Sequence, residues 1–381
     1  MSDWTNSVLT GDVRERLDDL PDDSVHMVMT SPPYFGLRDY GHDDQIGLED
    51  ELDAYIEELV AVFRDLRRVL RADGSAWLNL GDSYAGDKNK MLVPHRVAIA
   101  LQSDGWVVRN DVTWLKPNPM PSSVKDRLNT TTEQVFHLVP EPDYWYDLDA
   151  IREAHTVSDP ERNNRSEWVE STQENHNGKR AGGHPAGKNP GDVFEVTTKP
   201  FPDAHFAVYP PELCEKPLKA TCPPTVCAEC GSPYEREVER TTFDAEYGVC
   251  DEQATVDPDD VAQQHADRPN NYGSTEGRNL GGRQYRKWKA NNPDEFKGWM
   301  ATCECETDDT EPGIALDPFA GAGTTLLKAK ALGRRFVGIE LNAEYADMAR
   351  ARIGLSPKDP ANVRSDGSQT GIEAYTDGGN S

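Results

Sequence analysis

The sequence IALDPFAGAGTT at residues 314–325 decides the fold. Its apolar start predicts a short buried strand, and the small residues that follow predict a tight turn that opens a helix. Gly321 and Gly323 permit backbone dihedrals that other residues avoid, and they let a ligand approach the amides at a helix N-terminus. The segment therefore predicts a strand, turn and helix that together bind a ligand.

The chain after this turn ends its next strand in a carboxylate. A helix predicted over 326–332 leads to the strand FVGIE at 336–340, which closes with Glu340. An acid at the end of the second strand is placed to accept hydrogen bonds from both ribose hydroxyls of an adenosine cofactor. The dinucleotide fingerprint needs a third glycine, but Thr324 follows Gly323, so the pattern argues against NAD.

The N-terminal half alternates apolar strand patterns with amphipathic helix patterns. Strands are predicted near residue 8 and over 25–29, 75–80 and 106–115, the last with the apolar density of a strand buried on both faces. Helices are predicted over 49–71, with Gly74 ending this helix, and over 94–103 and 211–221. This order indicates an α/β fold with a doubly wound, mainly parallel sheet.

The turn TSPPY at residues 30–34 follows the second predicted strand. Its prolines fix the backbone and carry no amide proton, which leaves nearby carbonyls free as acceptors. The Ser31 hydroxyl, the Pro32 carbonyl and the aromatic face of Tyr34 would form a rigid polar pocket with a stacking wall. Such a pocket suits a flipped-out base that carries an exocyclic amine. An ordinary proline turn is the alternative interpretation.

Taken together, TSPPY at 30–34 and DPFAGAGTT at 317–325 resemble the catalytic and S-adenosylmethionine motifs of β-class amino-group DNA methyltransferases. Further matches are Gly11-Asp12, LNLGDSY at 78–84, WLKPNP at 114–119 and HFA at 205–207. The resemblance covers most of residues 8–355 outside the polar insertions. It implies a Rossmann-like methyltransferase fold, S-adenosylmethionine as cofactor and double-stranded DNA as substrate.

The resemblance also implies roles for single residues. The target base and its amine would be bound by the catalytic turn, Ser31, Pro32, Pro33 and Tyr34. The cofactor would be held by Asp317, Phe319, Ala320, Gly321, Gly323, Thr324, Glu340 and Phe206. Within this set, Asp317 would lie near the methionine moiety and Glu340 would bind the ribose.

Serine at the first position of the catalytic tetrapeptide is more usual for cytosine-N4 enzymes of this family, whereas aspartate usually marks adenine-N6 enzymes. Adenine N6 stays open as an alternative. Cytosine-C5 methylation needs a cysteine nucleophile after a proline, and the chain has no Pro-Cys pair. More remote alternatives are an oxidoreductase and a non-catalytic, zinc-ribbon nucleic-acid-binding protein. Similar archaeal enzymes make CTAG a candidate recognition site. A cognate restriction endonuclease is a candidate partner, and the protein could be a monomer or a homodimer.

The seven cysteines favour metal binding. Cys227 and Cys230 form a Cys-x-x-Cys-Gly half-site, and Cys303 and Cys305 could complete a tetrahedral Cys₄ site. Cys222 is a substitute ligand, and free thiols are the alternative. An odd number of clustered cysteines in a long chain differs from a disulfide framework, so we expect a structural zinc ion.

The formal net charge is −27, from 40 basic and 67 acidic residues. Acids spread along the whole chain are typical of haloarchaeal proteins from a high-salt cytoplasm, where salt screens charges over a few ångströms. Net charge therefore does not exclude DNA as a partner. Basic residues interleaved with aromatic ones over 278–289 suit phosphate contact and base stacking, although solvated loops are the alternative. The candidate DNA contacts are Arg283, Arg286, Lys287, Lys179 and Arg180.

The composition divides the chain into six segments. They are a catalytic half (1–150), a polar insertion that is a candidate target-recognition region (151–200), a return to the core (201–224), a zinc-ribbon-like insertion with a long polar loop (225–306), a cofactor-binding half (307–355) and a disordered tail (356–381). The N-terminus lacks an export signal, and no apolar run approaches the ~20 residues of a membrane span. We therefore expect a cytoplasmic protein without membrane contact.

Overall fold

The structure is a computed structural model, which describes residues 4–37, 41, 45–154, 187–199, 208–239, 292 and 294–355 of the 381-residue chain. The predicted tail over 356–381 and most of both polar insertions lie outside these residues. The described residues form twelve strands: β1 Ser7–Thr10, β2 Val25–Thr30, β3 Leu70–Leu80, β4 Val107–Leu115, β5 Thr132–Val139, β6 Val193–Glu195, β7 Val226–Cys227, β8 Glu235–Glu239, β9 Glu295–Met300, β10 Thr310–Glu311, β11 Ile314–Asp317 and β12 Arg335–Glu340.

Six described α-helices accompany these strands. They are α1 Val13–Arg16, α2 Leu52–Val69, α3 Val93–Ser103, α4 Pro211–Thr221, α5 Thr324–Ala331 and α6 Ala343–Ile353. The bounds of α4 confirm the helix predicted over 211–221. Among the described helices, none combines the length and the apolar character that crossing a membrane requires.

Eight strands form one sheet in the order β1-β12-β11-β2-β3-β5-β4-β6. Five of the seven neighbouring pairs are parallel, and β5 runs antiparallel to both β3 and β4. The doubly wound, mainly parallel sheet is therefore confirmed. Two strands of this sheet were not predicted: β5, and the short edge strand β6, which lies within the segment interpreted as a polar insertion.

The sheet is covered on both faces because apolar side chains alternate along its strands. In β2, Val28 belongs to the core cluster that contains α1, α2 and α3, and Val25 joins the same cluster because the pairing with β3 shifts register between Val25 and Met27. Met27 and Met29 point to the opposite cluster, which contains α4, α5 and α6. All six residues of β2 are buried, which places this strand at the centre of the three layers.

The helix predicted over 49–71 is confirmed as α2, but two local predictions are wrong: that Gly74 ends this helix, and that the strand over 106–115 is buried on both faces. Helix α2 ends at Val69 and β3 begins at the next residue, so Gly74 lies inside a strand. A Cβ atom at Gly74 would lie only 2.9 Å from the His26 carbonyl oxygen, so close packing, not helix termination, explains this glycine. In β4, residues 109–111 are exposed because the strand lies near the edge of the sheet, where its faces are incompletely covered.

The junction of β2 and β11 positions the site. These neighbouring strands come from opposite ends of the chain, with Met27 opposite Ala315 and Val28 opposite Leu316. From β2 the chain continues to β3 on one side, and from β11 it continues to β12 on the other. Ligands of open α/β sheets bind at the carboxyl ends of the strands where the connections diverge in this way.

The two polar insertions begin and end at paired residues. Glu153 and Lys188 exchange two backbone hydrogen bonds, of 3.0 and 2.8 Å, across the first insertion. Glu239 and Glu295 are opposite each other in the β8–β9 ribbon, which closes the second. The chain therefore leaves and rejoins the described fold at nearly the same place in both cases.

Two buried histidines make the stability of this fold depend on pH. The His26 Nδ1 atom accepts a hydrogen bond from the Ile314 amide at 3.1 Å, so Nε2 carries the proton and donates to the Gly231 carbonyl at 2.9 Å. His137 stacks on Trp77 with ring centroids 4.2 Å apart. Burial lowers the pKa of His26 to about 4 and that of His137 to about 3, so both rings are neutral near pH 7.

We expect the free energy of unfolding to fall as pH decreases from 6.5 toward 4, because in this interval the histidines are protonated in the unfolded chain but stay neutral in the folded protein. Each ring contributes at most about 1.4 kcal/mol per pH unit to the pH dependence of the free energy of unfolding. The replacement His137→Phe keeps a ring on Trp77 but cannot titrate, so its denaturant-unfolding series should be flatter than that of the wild type in this interval and parallel to it above pH 7. Parallel curves throughout would contradict the assignment.

Candidate active site

A cleft of about 790 Å³ opens at the carboxyl edge of the sheet and joins the two predicted binding turns. Its wall includes nine of the predicted residues: Ser31, Pro32, Pro33, Tyr34, Phe319, Ala320, Gly321, Thr324 and Glu340. Asp317 and Gly323 lie behind this wall, and Phe206 lies outside the described residues. Residues more than 280 positions apart in the sequence thus share one cavity.

The catalytic turn is held from the side of α2 and the loop before it. The Tyr55 hydroxyl donates a hydrogen bond to the Pro33 carbonyl at 2.8 Å. Gly47 has a φ of +104°, and a Cβ atom there would lie 3.2 Å from both the Pro33 side chain and the Tyr34 carbonyl oxygen. A glycine at position 47 is therefore required both by its backbone conformation and by the space that the turn occupies.

Gly81 shapes the floor under the Tyr34 ring. A Cβ atom at position 81 would lie 2.5 Å from Tyr34 Cε2 and 3.0 Å from Cδ2. A side chain at Gly81 would force the ring to move, so the glycine in the LNLGDSY stretch sets the height of Tyr34 in the cleft.

The Tyr34 hydroxyl is the centre of a polar network. It donates to Glu133 Oε2 at 2.8 Å and accepts hydrogen bonds from Asn79 Nδ2 at 2.8 Å and from the Ser31 hydroxyl at 3.1 Å. Asn79 Nδ2 also donates to Glu133 Oε2 at 2.9 Å. Burial, followed by the negative charge of Glu133, raises the pKa of Tyr34 well above its ordinary value, so the phenol keeps its proton.

The β4–β5 hairpin supplies the charged end of this network. Trp114 and Glu133 are opposite each other in the hairpin, and Lys116 forms an ion pair with Glu133. The Lys116 ammonium also lies 4.5 Å from the centre of the Trp114 ring. Glu133 is absent from the predicted site, and Asn79 and Lys116 lie in quoted motifs without a predicted role. The available signal was a carboxylate, Glu133, two residues before the apolar pair Val135 and Phe136.

The turn at residues 318–323, which we call the glycine turn, lies directly beside Glu340 in the second half of the cleft. Gly321 and Gly323 have φ values of +50° and +71°, in the left-handed region that glycine adopts without strain. The Gly321 amide donates to Glu340 Oε2 at 2.7 Å, and the Asn342 amide donates to Oε1 at 2.9 Å. Burial raises the pKa of Glu340. Each carboxylate oxygen is fixed by one amide and keeps acceptor capacity for a hydroxyl group of a ligand.

Asp317 lies behind the cleft and connects two strands through hydrogen bonds. Its carboxylate accepts hydrogen bonds from the Thr30 hydroxyl at 2.8 Å, the Tyr209 hydroxyl at 3.0 Å and the Phe319 amide at 3.2 Å. The residue is fully buried, and this burial raises its pKa. Asp317 therefore ties the strand that ends in the catalytic turn to the strand that ends in the glycine turn.

A cluster of four cysteines lies near the start of β2, at the opposite end of this strand from the cleft. The sulfur atoms of Cys227, Cys230, Cys303 and Cys305 are all within 4.8 Å of one another. Tetrahedral zinc with bonds of ~2.3 Å separates its sulfur ligands by ~3.8 Å, so four thiolates in this cluster fit a zinc ion. Cys222 lies outside the cluster and packs in the core.

The cysteine cluster is fastened to the sheet. Arg71 donates a hydrogen bond to the Cys230 carbonyl at 3.1 Å, and His26 donates to the carbonyl of Gly231. Because His26 is on β2 and Thr30 ends the same strand, the cluster and the cleft lie at opposite ends of one buried strand. The predicted DNA contacts Arg283, Arg286, Lys287, Lys179 and Arg180 lie outside the described residues.

Comparison with known proteins agrees with this geometry. A family model described as DNA methylase, N6_N4_Mtase, matches residues 25–227 and 307–351. The Type II methyltransferase M.SfiI of Streptomyces fimbriatus is 34% identical over 387 aligned residues, which cover 89% of this chain and 89% of the relative. The Type II methyltransferase M.Cfr9I of Citrobacter freundii is 37% identical, with 91% of this chain and 87% of the relative covered.

A solved structure shares the fold. The PvuII DNA methyltransferase, described as cytosine-N4-specific, superimposes with a TM-score of 0.52 at 15% identity, over 94% of this chain and 92% of that protein. The family match extends over more than half of the chain and includes both turns of the cleft. The protein therefore belongs to the DNA methylase family of N6 and N4 amino-group methyltransferases.

Proposed function

We propose that this DNA methyltransferase transfers a methyl group from S-adenosylmethionine to the exocyclic N4 amine of cytosine within a short duplex site. The observation that carries the proposal is the single cleft in which Ser31 and Tyr34 face the glycine turn and Glu340. One half of the cleft has the acceptors that an amine requires, and the other has the acidic residue and open turn that suit an adenosine cofactor.

The residues of the chain act by orientation and electrostatics. When bound, S-adenosylmethionine would supply an electrophilic methyl group for direct in-line displacement. The new N–C bond would form as the sulfonium S–C bond breaks, S-adenosylhomocysteine would leave with the bonding electron pair, and the methylated amine would release one proton to solvent. The Ser31 hydroxyl and the Pro32 carbonyl accept hydrogen bonds from the target amine, which turns its lone pair toward the methyl donor. The network around Tyr34 holds this turn in place before the substrate arrives, so little reorganisation is needed during transfer.

Serine at position 31 favours cytosine N4 over adenine N6, and the PvuII enzyme of the same fold is described as cytosine-N4-specific. The test is to methylate plasmid DNA in vitro, digest it to nucleosides and identify the product by mass spectrometry, then to map modified positions by long-read sequencing. We expect N4-methyldeoxycytidine, with CTAG as the candidate site. N6-methyldeoxyadenosine would replace the proposal by its alternative.

Several further assignments belong to the same proposal. Relatives described as Type II methyltransferases support a role in restriction and modification with a cognate endonuclease. The net charge of −27 supports a haloarchaeal, high-salt cytoplasm as the setting. We also propose that the basic residues over 278–289, with Lys179 and Arg180, contact DNA phosphates, and that the enzyme acts as a monomer or a homodimer.

Variants of the two halves of the cleft should separate chemistry from cofactor binding. Ser31→Ala and Glu133→Gln should lower the rate of methyl transfer by about tenfold or more, because each removes or reverses a hydrogen bond near the amine site. Both should leave S-adenosylmethionine affinity nearly unchanged in calorimetric titration. The replacement Glu195→Gln, on the exposed edge strand, is the matched control for Glu133→Gln and should behave as wild type.

Glu340→Ala should show the reciprocal pattern, with affinity for S-adenosylmethionine lowered about tenfold or more through loss of charged hydrogen bonds. Glu344→Ala removes a nearby exposed carboxylate and serves as its control. If Ser31→Ala weakened cofactor binding as strongly as Glu340→Ala does, the division of the cleft into two halves would be wrong.

We also propose that the four clustered cysteines hold a structural zinc ion. Protein purified without chelator should contain about one zinc per chain, with Zn–S distances of ~2.3 Å by X-ray absorption. Cys230→Ser should lower both the zinc content and the melting temperature, whereas Cys250→Ser, outside the proposed ligand set, should change neither. Absence of zinc from the purified wild type would refute the assignment.

A further inference from the structure

The β4–β5 hairpin extends past the sheet as a long exposed loop. Its last strand pair is Leu115 with Thr132, and the Lys116 amide donates to the Thr131 carbonyl at 2.9 Å. Beyond this point, all eleven residues from 120 to 130 are exposed. We call residues 117–130 the hairpin tip.

The hairpin tip carries the two most exposed large hydrophobic side chains of the described residues. Leu128 is 90% exposed and Met120 is 87% exposed, whereas the next, Ile99 on α3, is 63% exposed. The Asn129 amide group donates to the Met120 carbonyl at 3.3 Å, which ties the two sides of the tip together. Two uncovered apolar side chains on one projecting loop indicate a surface that becomes covered on binding.

The hairpin tip borders the candidate active site. Asn118, Pro119, Met120 and Thr130 line the same cleft as Ser31 and Tyr34. Its stem carries Lys116 and Glu133, which bind each other beside the Tyr34 hydroxyl. The tip is therefore part of the wall of the cleft that would receive the target base.

Cations accompany the apolar side chains. The Arg127 guanidinium lies 4.0 Å from the centre of the Tyr84 ring, and its Nη1 atom donates to the Leu128 carbonyl at 3.1 Å. Lys125 is also on the tip, and Lys88 joins it from the neighbouring loop through an ion pair of 2.7 Å with Asp126. In a chain of charge −27, these positive groups stand next to the apolar side chains of the tip. Positive groups suit the phosphates of a DNA duplex, and apolar side chains suit its stacked bases.

We propose that the hairpin tip is a wedge that enters the DNA duplex at the target pair, with Met120 and Leu128 filling the space that the flipped cytosine leaves. This inference rests on the proposed function, because it assumes that an extrahelical base is methylated. Unstacking a base costs free energy, and apolar side chains inserted between base steps are a known means of offsetting that cost. Lys125 and Arg127 would contact the phosphates on either side.

The test compares the double variant Met120→Ser, Leu128→Ser with the wild type on two duplexes. In one the target cytosine is paired with guanine, and in the other it lies opposite an abasic site, so that less energy is needed to extrude it. We expect transfer to the paired duplex to fall by at least about tenfold and transfer to the abasic duplex to be nearly normal. Ile99→Ser, an exposed site away from the cleft, is the matched control and should be active on both.

Each other outcome overturns the inference. Unchanged transfer to the paired duplex would show that the tip is not a wedge, and equal losses on both duplexes would assign Met120 and Leu128 to a different step. A change in the sedimentation of the DNA-free double variant would assign the tip to contact with a second copy of the chain. If the wild type itself methylates neither duplex, the proposed function fails, which is distinct from a failure of the wedge in an active enzyme.

Discussion

The arrangement of the site depends on one buried carboxylate, that of Asp317, at the junction of β2 and β11. A buried charge or polar group is stable only when its hydrogen-bonding capacity is satisfied, and here Thr30, Tyr209 and the Phe319 amide satisfy it. Thr30 directly precedes the catalytic turn, and Asp317 directly precedes the glycine turn. The bonds that keep the carboxylate buried therefore also fix the distance between the two turns, so that stability and geometry at the site have the same origin.

A second constraint sets the direction of the hydrogen bonds in the cleft. The Lys116–Glu133 ion pair keeps a hydrogen-bond acceptor, the Glu133 carboxylate, beside Tyr34. The Tyr34 hydroxyl therefore donates its proton to Glu133, and its oxygen accepts hydrogen bonds from Asn79 and Ser31. A neutral residue at position 133 would leave this direction undetermined. The β4–β5 hairpin thus orders the catalytic turn, although the turn lies on a different strand.

The parts of the site that could be predicted from the sequence are local ones. The glycine turn, Glu340 and TSPPY each follow a strand within a few residues, and the paired spacing of the cysteines indicated their cluster. Glu133 was missed because its contact with Tyr34 spans 99 positions and depends on the register of an antiparallel hairpin absent from the predicted elements. Gly74 was misread for a similar reason, since its neighbour is the His26 carbonyl on another strand.

The pairing of residues at the two ends of each polar insertion affects how such enzymes can diverge in sequence. Glu153 with Lys188, and Glu239 with Glu295, hold the ends of each insertion together whatever lies between them. Doubling the length of such a loop adds only about 0.6 kcal/mol to the free-energy cost of closing it. Evolution can therefore lengthen, shorten or exchange these segments, and with them any contacts to DNA sequence, while the sheet and its catalytic cleft are inherited unchanged.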